Sequence, residues 1–129
     1  MKRKYLDDIG VTDRWDTWVQ ENGLPSPRQQ EEQAVYGFDS RETYSLDHAF
    51  YFWLYERLMM YKEVAIVNLE FHKFEYDGQT FTQLQLIDRM LDDLRFIFRE
   101  DYNDSDPQQY KRQEEIAQIW AVVLPAMWW

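Results

Sequence analysis

SLDHAFYFWLYERLMMYKEV, residues 45–64, decides how the rest of the chain is read. Plotted at 3.6 residues per turn, it leaves no polar stripe. Leu46, Ala49, Phe50, Trp53, Met60 and Val64 make one broad apolar face, Leu54 and Leu58 widen it, and Phe52 and Met59 cover much of the other side. A helix that is apolar most of the way round is normally enclosed. The pattern therefore predicts a mainly α fold, a compact helical bundle around one central buried helix over about 46–64. His48, Glu56 and Arg57 then fall in or near the core, where each must be paired or must reach a cleft. The segment is long enough to cross a bilayer, but Asp47, His48, Glu56, Arg57, Lys62 and Glu63 argue against it.

A chain of 129 residues suits a single domain, 1–129, with an N-terminal arm at 1–11 and a Trp-rich tail at 125–129 packed on the core. Four Gly and four Pro favour long helices over many turns. The net charge of -10 repels nucleic acid and favours a basic partner. A mean hydropathy of -0.70 speaks against a membrane protein. Cysteine is absent, so disulfides and thiolate metal sites are excluded. Lys2-Arg3-Lys4 is followed by Tyr5-Leu6-Asp7-Asp8 rather than an apolar run, so a cytoplasmic location is expected.

Along the chain, Tyr5, Leu6 and Ile9 anchor the arm, and Thr12 caps a helix that carries Asp13, Trp15, Asp16, Trp18 and Val19 and closes at Gly23. Ser26, Pro27 and Gln29 open a short solvated helix that ends at Gly37. Ser40 is expected to cap a turn, and Ser45 to cap the central helix with Tyr44 stapling its first turn. After Val64 the period changes, and Asp77-Gly78 signals a small β-hairpin near 66–82. Thr82 caps a helix with a stripe of Leu84, Ile87, Leu91, Leu94 and Phe98, joined by Met90 and Ile97, and with Asp88, Asp92, Arg95 and Arg99 opposite. Asp106 and Pro107 open the last helix, whose apolar edge is Tyr110, Ile116, Ile119, Trp120 and Val123.

Motifs for chemistry are sparse. His48 and His72 have acids nearby in sequence, but neither HExxH nor a repeated Glu-x-x-His is present, so no metal site or cofactor is expected. No GxSxG or glycine-rich phosphate loop occurs, and a non-enzymatic protein is the expectation. Arg57 is expected to pair with Asp88 or Asp92; His48, Glu56 and Arg57 are the candidates for a ligand pocket.

YGFDSRETYSLDHAFYFWLYERLMMYKEV, HKFEYDGQTFT, IDRML and IWAVVLPAMWW, with the pieces G-F-x-x-R-E-x-x-x-L-D and P-A-M-W-W, resemble an uncharacterised group of small acidic proteins encoded by bacteriophages and prophages of Gram-positive bacteria. The likeness runs over about residues 8–129. It implies a phage origin and no particular reaction. Small acidic phage proteins can act by occupying a protein surface, as anti-CRISPR and anti-restriction inhibitors do; that step is analogy of size and charge.

The leading expectation is a phage accessory protein that binds a basic protein through an acidic face: Asp88, Asp92, Asp93, Glu100, Asp101, Asp104 and Asp106. One alternative is a nucleotide-binding or sponge protein. Another is a structural or assembly protein that forms a homodimer through Trp128 and Trp129.

Overall fold

In a computed structural model of the chain, residues 3–13, 21, 23–99 and 105–128 are described. The fold is mainly α with one small antiparallel hairpin. Where the sequence reading has one domain, contacts divide the chain into two compact units, residues 1–56 and 57–129.

In the first unit, helix α1 (Lys4–Asp8) buries Tyr5 and Leu6, while Ile9 is left partly exposed. The helix expected after Thr12 falls largely on residues outside the described ones, but Asp13 is described, and it pairs with Arg3 at 3.0 Å. Helix α2 (Pro27–Tyr36) opens on the anticipated capping box: the Ser26 hydroxyl accepts from the Gln29 N–H and the Gln29 side chain accepts from the Ser26 N–H. It stops at Gly37, whose φ of 83° is left-handed.

The turn over Ser40–Thr43 corrects one expectation. Asp39 caps it, accepting from the Arg41 N–H, with Glu42 closing the box. Ser40 instead binds Glu32 of α2 through its N–H and hydroxyl, at 2.9 and 3.0 Å. Ser45 is not an extended cap either: its φ is +48°, and Tyr44 is 79% exposed rather than stapled.

Helix α3 (Leu46–Val64) is the long central segment, and the boundary between units falls within it. Its orientation differs from the expectation. The buried positions are His48, Phe52, Leu54, Tyr55 and Leu58, while Leu46, Trp53, Met60 and Val64 are exposed. The reason is physical: a helix apolar on nearly every side carries almost no directional signal, so its period cannot say which face points inward.

The second unit begins with a break at Ala65, followed by helix α4 (Ile66–Phe71) where part of the hairpin was expected. The hairpin occupies only β1 (Lys73–Tyr76) and β2 (Gln79–Thr82), in the register Lys73↔Thr82 to Tyr76↔Gln79. Asp77 and Gly78 have φ of 53° and 73°, the positive pair that a two-residue I′ turn requires. Thr82 then caps helix α5 (Gln83–Ile97) through a second capping box with Gln85.

Leu86, Ile87, Met90, Leu91, Leu94 and Ile97 of α5 are buried with Ile116, Ile119 and Val123 of helix α6 (Pro107–Val123). Each such aliphatic side chain contributes roughly 1.5–3 kcal/mol on burial, so this apolar layer dominates the unit. Asp106 caps α6 as anticipated, but Tyr110 points to solvent and Gln109 is buried in its place. The hairpin is tied to this pair of helices: the Tyr76 hydroxyl donates to Gln118 at 3.0 Å, and the Arg89 guanidinium lies 5.4 Å from both the Tyr76 and Phe81 rings. A 3-10 turn (Leu124–Ala126) follows α6.

Candidate functional site

Met60, Val64, Val67 and Phe71 recur at spacings of four, three and four residues, the period of one helical face. All four are exposed, Val67 at 77% and Phe71 at 76%. The helix breaks at Ala65, whose ψ of 38° is not helical, so the row consists of two exposed pairs, Met60 and Val64 at the end of α3 and Val67 and Phe71 on α4. At the far end Phe71 meets His72 edge-on at 5.5 Å, and His72 meets Trp128 edge-on at 5.8 Å. Trp128 is itself 61% exposed, and its carbonyl accepts from the Tyr61 hydroxyl at 3.4 Å. The tail thus lies against this unit through its backbone while the Trp128 ring extends the apolar row; Trp129 lies outside the described residues.

Glu63 at the end of α3 and Glu70 near the end of α4 are exposed beside these residues in the chain. Among the described residues neither makes an ion pair. An apolar row of this kind, rimmed by charge, is the signature of a protein-binding surface.

The acids singled out from sequence behave differently. Asp88 pairs with Lys62 at 2.6 Å and Asp92 with Arg95 at 3.1 Å, so the partners anticipated for Arg57 are taken by other cations. Asp106 is spent as a helix cap. Glu100, Asp101 and Asp104 lie outside the described residues. Asp93 is a correction: it is fully buried and receives Arg112 at 2.8 Å, so it cannot belong to a surface that meets a partner. Its Oδ2 meets no donor. Burial first, then a hydrogen bond with Glu115, raises its pKa to about 7, so a protonated Asp93 donating to the Glu115 carboxylate would satisfy that oxygen.

The trio His48, Glu56 and Arg57 does not act as one group. His48 is buried in the first unit with Nε2 3.8 Å from the Asp47 carboxylate and its ring edge toward Tyr51. Glu56 accepts from the Nε of Arg3 at 2.8 Å and also from its terminal nitrogen, and Arg3 reaches Asp13 as well. Arg57 belongs to the second unit and is exposed. At the basic start of the chain, Arg3 is thus engaged by two carboxylates.

Among the described residues, no three His, Asp or Glu side chains gather as metal ligands, and no helix is long and apolar enough to cross a membrane. No family model, curated protein or solved structure matches the chain. The spacing of the exposed row is present in the sequence, but the expected enclosure of 46–64 and the hairpin expected from 66 hid it.

Proposed function

We propose that this chain is a non-enzymatic binding protein, a phage accessory factor that occupies a basic amphipathic helix on a protein partner. The observation that supports the reading is the exposed row Met60, Val64, Val67 and Phe71 beside the two acids Glu63 and Glu70, which lack ion pairs among the described residues. An apolar stripe on the partner would bury the row, and Lys or Arg along its edge would meet the glutamates. This keeps a basic partner and replaces the acid-only helix surface with a mixed one. A second copy of the chain fits less well, because it carries the same acidic edge and like charges would be brought together. In a phage setting the natural targets are host-defence proteins, whose nucleic-acid-binding surfaces are basic.

The test uses two labelled synthetic helices with the same leucine stripe, one flanked by lysine and one by glutamate. The lysine helix should bind and weaken with salt, and Phe71→Asp should abolish binding. Reversal of Glu63 and Glu70 to Lys should transfer preference to the glutamate helix. Equal binding of both helices, or a stable dimer of the free protein in sedimentation, would overturn the reading.

A further inference from the structure

The last turns of α5 carry Asp92, Arg95 and Phe96 at spacings of three and one residues, on one helical face, and Arg99 follows two residues past the end of the helix. Together with Arg112 of α6 they line a surface concavity of about 390 Å³. Among the described residues, three arginines against one aspartate make the lining cationic in a chain whose net charge is -10. The cations are not scattered. The guanidinium carbons of Arg99 and Arg112 lie 4.5 and 4.8 Å from the centre of the Phe96 ring, which holds both by cation–π attraction. Two like charges on one ring repel each other, and an anion between or above them relieves that repulsion.

The existing counter-charges are unevenly shared. Arg95 is answered by Asp92 at 3.1 Å, and Arg112 by the buried Asp93 at 2.8 Å. Arg99 contacts the Phe96 ring and carbonyl and, among the described residues, makes no ion pair. The plain alternative is that these arginines serve only to neutralise two aspartates and cover a ring. That account gives Arg99 a ring to cover but, among the described residues, no carboxylate to meet.

We propose that the concavity lined by Asp92, Arg95, Phe96, Arg99 and Arg112 binds a phosphate monoester group. A single carboxylate would answer one cation, whereas a phosphate monoester carries roughly -1.5 to -2 charges and three acceptor oxygens. Guanidinium forks match those oxygens in pairs. Inorganic phosphate and the phosphate of a nucleotide share this chemistry. The site stands apart from the apolar row of α3 and α4 and does not depend on the reading of that row.

Titration calorimetry of the full chain at low salt with inorganic phosphate, adenosine monophosphate and adenosine tests the proposal. Phosphate and the monophosphate should bind saturably and adenosine should not. Tighter binding of the monophosphate than of phosphate identifies a nucleotide as the better source; equal binding identifies the free anion. Arg99→Ala should weaken binding about tenfold or more. Because Arg99 holds no acid among the described residues, the variant should melt within a few degrees of the parent, and Arg99→Gln, which keeps most of the stem over Phe96, supplies a second variant. Lack of saturable binding below on the order of 10 mM, adenosine binding as well as its monophosphate, or affinity unchanged in both variants would overturn the proposal.

Discussion

Asp39 and Asp93, each the most deeply buried aspartate described in its unit, are treated in opposite ways. Asp39 of the first unit accepts from the Nε and terminal nitrogen of Arg41, both at 2.9 Å, from the Arg41 N–H at 3.0 Å and from the Gln33 side chain at 2.7 Å. The Arg41 hydrogen bonds hold its carboxyl well below the usual carboxylate range despite burial. Asp93 of the second unit has one arginine on one oxygen and an acid, Glu115, beside it, and burial pushes it the other way. Burial alone therefore does not decide the state of a carboxyl; the count of donors aimed at it does. The same contrast runs through the units. The first holds a joint of capping and ion-pair contacts around α2 and the turn after it, where no residue of α2 is buried. The second rests on the aliphatic layer of α5 and α6.

The largest expected effect comes from breaking that layer. Leu94→Ala removes a fully buried side chain and should cost about 2–5 kcal/mol in denaturant unfolding, through lost transfer energy and a residual cavity. Next is the pH response of the two aspartates, where the sign separates them. Asp93 has its folded pKa raised from 3.8 to about 7, so its stabilising share is fully present below the unfolded value and is lost as pH rises between about 4 and 7. Asp39 has its folded pKa lowered, so its share is present above 3.8 and is lost as pH falls below it. In urea titrations across this range, Asp93→Asn should remove a decline toward neutral pH, and Asp39→Asn should remove a decline toward acid. Matching slopes in the two variants would dissolve the comparison.

A smaller effect is expected at the caps, one in each unit. Ser26→Ala and Thr82→Ala each delete a side-chain acceptor from a capping box and should cost roughly 0.5–2 kcal/mol by thermal melting. The Thr82 variant should be felt more by the whole protein, because α5 carries the main apolar layer while α2 buries nothing. Smallest for stability is Val67→Asp on the exposed row, within about ±0.5 kcal/mol. If Val67→Asp destabilised the protein as much as Leu94→Ala, the row would be core and the binding surface inferred from it would fall.

Local chemistry made much of this molecule legible in its residues. Ser26 with Gln29, Gly37, Asp77-Gly78, Thr82 and Asp106-Pro107 act within a few residues of themselves, so their caps and turn could be placed from sequence. The buried face of α5 was legible in part: Ile87, Met90, Leu91, Leu94 and Ile97 are inward as expected, whereas Leu84 and Phe98 stay partly exposed and Leu86 and Asp93 are buried. Helix α3 offered no separation of apolar from polar sides. Which of its aromatic sides is buried was left to the neighbours it packs against, and they took His48, Phe52 and Tyr55 rather than Leu46, Trp53 and Met60. The choice between ionised Asp39 and proton-holding Asp93 likewise required tertiary placement. Arg41 is two residues from Asp39, whereas Arg112 and Glu115 reach Asp93 from another helix. Periodicity and capping report on neighbours in the chain; the facing of a uniformly apolar helix and the charge of a buried acid depend on neighbours in space.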